Sequence, residues 1–211
     1  MADLIVGGGR GFASQFADAR RELGHEVYCL SSKDQDAVDW RTINSADLYR
    51  RLRDLPRLDF VWFNQNASSL SQASFQVGSQ GVLDIWKQTK HWQQSYYVSC
   101  QITFEIMHLL GDKLDEHTRV CWMLSSMILR HQDPQHADYV GNKFQNLMLM
   151  KNFAASHPAA CFGLDPGDIR GTDFTAQVHG LDRLLAKAPQ ELNGKVWCLD
   201  GSVSRISEIL G

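Results

Sequence analysis

The sequence contains no basic block: lysines and arginines number 21 against 24 acidic residues, for a formal net charge of −3. Nucleic-acid binding draws its affinity from counterions displaced by clustered lysines and arginines, so that class of function has little to work with. No Cys-x-x-Cys pair occurs. The five cysteines (Cys29, Cys100, Cys121, Cys161, Cys198) are scattered, mostly inside apolar runs. An odd count without paired spacing argues against a disulfide framework and reads as buried, reduced thiols in a cytoplasmic protein. No apolar run approaches the roughly 20 residues that a membrane span needs. The opening Met1-Ala2-Asp3-Leu4 enters a strand-like run at once, leaving no room for a secretory leader. Repeats, low-complexity tracts and linkers are also missing, so residues 1–211 read as one domain, long enough to bury a full core.

What is present is an alternation of short apolar runs with longer segments of helical period. Strands are expected at Leu4–Val6, Glu26–Leu30, Leu58–Phe63, Arg119–Leu124, Ala159–Leu164 and Val196–Leu199. Helices are expected at Arg10–Leu23, Ser45–Leu55, Asp138–Ser156 and Thr175–Lys187, with one or two more between Leu83 and Leu110. The second of these is capped by Asn44 or Ser45 and stopped before Pro56. Strands separated by helices imply right-handed crossovers. The expected fold is therefore α/β, a Rossmann-type doubly wound parallel sheet with helices on both faces.

Between the first strand and helix lies Gly7-Gly8-Gly9-Arg10-Gly11-Phe12-Ala13. Glycines there permit a tight turn and let a pyrophosphate approach bare backbone, with the free N–H groups of a helix start behind it. A turn of this kind can equally be a ligand-free βα connection. Charge then discriminates between dinucleotides. The second strand ends in Ser31-Ser32-Lys33, with no carboxylate at the position that usually bonds the ribose 2′-hydroxyl of NAD. Ser31, Ser32, Lys33 and Arg10 suit a 2′-phosphate instead, so NADP(H) is expected over NAD(H).

Tyr139 and Lys143 stand four residues apart on one helix face. A neighbouring ammonium lowers a phenol's pKa, which suits a group that protonates a carbonyl oxygen as hydride arrives. Ser125-Ser126 ends an apolar strand at the sheet edge where ligands bind. Taken together, this set resembles the short-chain dehydrogenase/reductase family over nearly the whole chain. The family's glycine motif matches Val6 to Ala13. Its serine falls at Ser126, thirteen residues before Tyr139, and its Tyr-x-x-x-Lys is Tyr139 to Lys143. Its Pro-Gly is Pro166-Gly167, and the Asp-Gly of its closing strand is Asp200-Gly201.

The resemblance implies that Tyr139 is the acid/base. It gives Lys143 two roles, lowering the tyrosine's pKa and binding nicotinamide ribose, and Ser126 the substrate oxygen. Ser99 takes the place of the family's relay asparagine. Gly7, Gly9, Gly11, Phe12, Asp39, Asn64, Pro166, Gly167, Ile169 and Thr172 join the cofactor-binding set, with Asp39 against adenine and the Ile169 backbone against the nicotinamide amide. The asparagine motif after the strand Leu58–Phe63 is degraded to Asn64-Gln65-Asn66-Ala67. The helical lid that normally follows Pro-Gly is nearly absent, leaving an open pocket suited to a bulky or carrier-bound carbonyl substrate. His131 and His136, beside Asp133 and Asp138, read as polar loop residues rather than metal ligands. The aromatics Trp86, Trp92, Tyr96, Tyr97 and Phe104 read as core together with a homodimer or homotetramer face.

The function expected is an NADP(H)-dependent ketone reductase or alcohol dehydrogenase. The alternative is a catalytically weak NADP-binding sensor or scaffold. A sugar-nucleotide epimerase would need a C-terminal substrate domain for which this chain has no room.

Overall fold

The structure, a computed structural model, describes residues 1–9, 11–32, 38–39, 42–65, 89–90, 92–129, 137–167 and 174–209. Six strands form one sheet: β1 (Ala2–Val6), β2 (Glu26–Leu30), β3 (Phe60–Phe63), β4 (Arg119–Met123), β5 (Ala160–Asp165) and β6 (Val196–Cys198). Their order is β2-β1-β3-β4-β5-β6, and every pairing is parallel. The helices are α1 (Gly11–Glu22), α2 (Ser45–Leu52), α3 (Ile102–Leu110), α4 (Ala137–Ser156), α5 (Phe174–Leu185) and the single turn α6 (Pro189–Leu192). Residues 92–96 are also helical and run into α3 through a π-helical turn, Tyr97–Gln101. The expected doubly wound α/β architecture is the one observed.

Strand alternation explains why both sheet faces are covered. Leu4, Val6, Val61, Phe63, Val120 and Trp122 bury one face against Leu48, Ile102, Ile106, Leu147 and Met150 of α2, α3 and α4. The intervening Ile5, Phe60, Trp62 and Cys121 bury the other against Phe12 and Phe16 of α1 and Leu181 and Leu184 of α5. Period-2 strands sandwiched this way read as unbroken apolar runs. Phe12 and Phe16 meet the Trp62 ring edge-on at centroid distances of 5.1 and 5.3 Å. Cys100, Cys121 and Cys161 are buried, and no disulfide joins any of the five cysteines. Asn44, not Ser45, caps α2, accepting from the amides of Ala46 and Asp47. That helix stops at Leu52, short of the expected Leu55, because the Leu55 amide turns back to the Leu52 carbonyl.

Asp3, on the first strand, is fully buried with its charge. Arg20 of α1 donates to it at 2.7 Å, and His25 Nδ1 lies 3.3 Å away. A carboxylate out of water is tolerable only with such partners. Truncating it takes away the short partner of the guanidinium, leaving Asp182 at 3.9 Å as its acidic neighbour. Asp3→Ala should therefore cost about 3–5 kcal/mol of unfolding free energy in urea denaturation.

Candidate active site

The strand order reverses between β1 and β3, and the carboxyl ends of those strands open the crevice in which doubly wound sheets bind ligands. Gly7 leaves β1 with φ +84°, its amide donating to the Leu30 carbonyl at 2.7 Å. A Cβ on Gly7 would lie 2.6 Å from the Gln65 amide nitrogen, so only glycine fits. Asn64, following β3, donates its amide to Val6 and reaches the Gly7 carbonyl through Nδ2 at 3.5 Å. Gly9 and Gly11 complete the turn, with Gly11 opening α1 at φ +58°. The Phe12 side chain belongs to the core against Trp62, which leaves only its backbone beside the turn.

The residues expected near the ribose are only partly described. Ser31 is buried and its carbonyl accepts from the Val38 amide, whereas Ser32 and Asp39 are exposed. The Asp39 carbonyl takes the amides of Thr42 and Ile43. Arg10, Lys33, Ile169 and Thr172 lie outside the described residues, as do Asn66, Ala67, Trp86, His131, Asp133 and His136. The shortened lid region, 168–173, also lies outside them, and α5 begins immediately afterwards at Phe174.

Across the same sheet edge, α4 brings Tyr139 and Lys143 together as its spacing predicts. The Lys143 Nζ sits 5.6 Å from the centre of the Tyr139 ring. Tyr139 is hydrogen-bonded to Ser125, one residue before the Ser126 that the thirteen-residue interval selects. Ser126 opens a 3-10 turn, Ser126–Leu129, and its amide donates to Asp165 at 3.1 Å.

The electrostatics differ from expectation. Burial raises the Tyr139 phenol, the Ser125 hydrogen bond works against this, and the Asp165 charge adds to the rise. Lys143 is almost fully enclosed and donates to the Met123 carbonyl at 2.7 Å, not to the phenol. Burial pulls its pKa from 10.5 down to about 8, with the neighbouring Cys100 acting weakly the other way. Cys100 itself is pushed up to about 12 by burial.

Ser99 lies in the π-helical turn with its hydroxyl buried and unpaired, while its carbonyl accepts from Thr103 Oγ1 at 3.1 Å. Such turns are frequent at functional sites. Pro166 and Gly167 follow β5, with Gly167 at φ +69°. Sequence reasoning missed Asp165. Its signal was an acidic residue closing an otherwise apolar strand directly before Pro166-Gly167. Asp200 and Gly201 form a turn in which Asp200 accepts from both the amide and hydroxyl of Ser202. Among the described residues no group of three or more metal-binding side chains converges, and no helix is long and apolar enough to cross a membrane.

No family model matches the sequence, and neither does any curated protein. Solved structures do. A protein from Shigella flexneri assigned to the short-chain dehydrogenases superposes with a TM-score of 0.76 at 16% identity, over 94% of this chain and 96% of that one. A Shigella flexneri structure of the same assignment complexed with NADP gives 0.71 at 15% identity, over 94% and 96%. A carbonyl reductase from Pseudomonas aeruginosa gives 0.73 at 16% identity, over 97% and 99%. The chain has the short-chain dehydrogenase/reductase fold. In this fold the glycine turn and the Ser125–Tyr139 pair occupy one edge of one sheet, on opposite sides of the strand reversal.

The buried ammonium of Lys143 sets a pH dependence. Its folded pKa of about 8 lies below the unfolded 10.5, so the unfolded chain binds more protons between those values. Stability from this group therefore rises with pH across that window. Chemical denaturation at several pH values should show wild type gaining on Lys143→Met between pH 8 and 10.5, and level below it.

Proposed function

We propose that the protein is an NADP(H)-dependent oxidoreductase moving hydride between nicotinamide and a carbonyl or hydroxyl substrate. The observation that carries this reading is the Ser125–Tyr139 hydrogen bond with Lys143 against the tyrosine ring, on the sheet edge that also holds Gly7. The glycine turn fits a dinucleotide. Its backbone is bare where a Cβ would collide with Gln65, and its amides precede a twelve-residue helix. The bound cofactor would supply the hydride. Gly7, Gly9, Gly11 and the Phe12 backbone would hold its pyrophosphate, with Asn64 lining the crevice. Ser31, Ser32, Lys33 and Arg10 would take the 2′-phosphate, and Asp39 the adenine side. Pro166, Gly167, Ile169 and Thr172 would border the nicotinamide. The structurally similar Shigella flexneri protein crystallised with NADP supports the same choice.

The protein's own groups then divide the acid/base work. Tyr139 gives its proton to the carbonyl oxygen, and the Ser125–Ser126 turn supplies the hydroxyl that polarises that oxygen, Ser126 by the thirteen-residue interval and Ser125 beside the phenol. A lysine with a pKa of about 8 is mostly charged at neutral pH, so Lys143 opposes the negative charge that builds on the phenol. Ser99, with its unpaired hydroxyl, suits a water that returns the proton. The open edge and abbreviated lid favour a bulky or carrier-bound carbonyl. The donation of Lys143 to the Met123 carbonyl favours a second reading, a catalytically weak NADP-binding sensor.

We also propose a homodimer or homotetramer. Tyr96, Phe104, Phe144 and Met148 are large, apolar and exposed on the α3 and α4 side. Tyr97 drops out of that face, because its hydroxyl turns inward to the Ile43 carbonyl at 2.6 Å. Light scattering should report an oligomer for wild type and a smaller species for Phe104→Glu.

Turnover and binding separate the two functional readings. Tyr139→Phe should keep the fold and its NADPH fluorescence titration while carbonyl reduction falls by about 10²–10⁴-fold. NADPH should bind more tightly than NADH. Wild-type turnover in Tyr139→Phe defeats the acid/base role, and tighter NADH binding defeats the cofactor choice. NADPH binding without reduction of any ketone or β-keto thioester leaves the sensor.

A further inference from the structure

We propose that Asp165 is a positioning residue, holding the Ser125–Ser126 turn against Tyr139 from the carboxyl end of β5. Its carboxyl group gathers donors from three separate segments. Oδ1 accepts the Ser126 amide at 3.1 Å, from the turn after β4, and the Gly167 amide at 3.3 Å, from the Pro-Gly loop. Oδ2 accepts the Ser204 hydroxyl at 3.1 Å, and the Ser204 oxygen in turn takes the Ile206 amide at 3.3 Å. The residue is only 6% exposed, so these donors have little water to fall back on. Hydrogen bonds to an ionised acceptor are the strong kind, and these three tie the turn after β4 to the Pro-Gly loop and to Ser204.

Ser126 is thereby immobilised through its backbone, and Ser125, the last residue before it, is set toward the phenol. The Met127 amide adds a contact to Ser125 Oγ at 3.3 Å, and the Ile128 amide closes the turn on the Ser125 carbonyl at 3.1 Å. Without Asp165, the Ser126 and Gly167 amides lose their shared acceptor together, and the serine loses its register.

The carboxylate also acts through its charge. Among the described residues, the charged groups facing Tyr139 are Asp165 from β5 and Lys143 from its own helix, with Ser125 as the uncharged partner and Cys100 behind Lys143. A fixed negative charge disfavours the phenolate and so adds to the rise of the Tyr139 pKa that burial begins. This inference rests on the oxidoreductase reading for its kinetic consequences but not for its geometry.

The test uses Asp165→Asn, which keeps an acceptor for both amides and removes the charge, beside Asp165→Ala, which removes both. Tyr139 ionisation is read as tyrosinate absorbance, each protein compared with its own Tyr139→Phe counterpart. In Asp165→Asn the titration should move to lower pH. In Asp165→Ala, kcat for NADPH-dependent carbonyl reduction should fall by about 10²-fold with little change in KM, as expected for a misplaced group, and Asp165→Asn should recover much of it. Titration of Tyr139 at the wild-type pH in Asp165→Asn overturns the inference, as does wild-type kcat in Asp165→Ala. Should Asp165→Ala fail to fold, the Asn variant still decides through the titration. A shifted titration in a protein that reduces no carbonyl supports Asp165 as the positioning residue and removes the oxidoreductase reading instead.

Discussion

A parallel sheet buried on both faces forces every connection to cross over a helix, so the carboxyl ends of all the strands line one edge. Everything chemical in this protein depends on that constraint. Gly7, Asn64, Ser125 and Asp165 are distant in sequence, yet each stands at or just past the end of its strand. The chain needs no long-range design to gather them. It needs only apolar strands of the right length and helices that return the chain to the opposite edge. The reversal of strand order between β1 and β3 then opens a crevice at one place, and the near-contact of Gly7 with Gln65 marks how closely the two strand ends approach there.

Within that edge, burial sets the protonation chemistry more than proximity does. The four-residue spacing of Tyr139 and Lys143 suggests an ammonium lowering a phenol's pKa. In the folded chain the ammonium is enclosed and directed at the Met123 carbonyl, and the phenol is raised by its own desolvation and by Asp165. Both groups are pushed toward their uncharged forms, the lysine to about 8 and the tyrosine above its ordinary value. A neutral phenol beside a mostly charged amine still holds its proton at neutral pH. That is the state in which an incoming hydride on a carbonyl would need it.

The strands were legible because parallel strands buried on both faces have no polar alternation to confuse with a helix. Glu26–Leu30 falls where it was expected, and the others shift by one or two residues. The helices were legible through their caps and periods. The Tyr139 and Lys143 pairing was legible too, since one helix fixes it. The place of Ser125 beside the phenol was not legible, because a rule of spacing counts residues and does not see the 3-10 turn that follows or the Asp165 carboxylate that takes the Ser126 amide. Tyr97 falls on the core side of the aromatic set, its hydroxyl donating to the Ile43 carbonyl from the π-helical turn.

The π-helical turn also explains how the two halves of the site keep a fixed distance. Gln65, just past β3, donates to Thr103 at 2.5 Å, and Thr103 bonds the Ser99 carbonyl inside the turn. One turn earlier on the same helical run, Ser95 accepts from Asn142, which lies between Tyr139 and Lys143 on α4, and the Cys100 thiol reaches the Asn142 carbonyl. Two sets of buried polar contacts on one helical run therefore lie between Gln65, whose backbone crowds Gly7, and the helix that carries the phenol. Buried polar links of this kind are costly to break, because each freed group would face an apolar interior. An ordinary α-helical turn would rotate Ser99 and Thr103 relative to Ser95 and Cys100. The helical run that contains the wide turn faces Gln65 through Thr103 and Asn142 through Ser95.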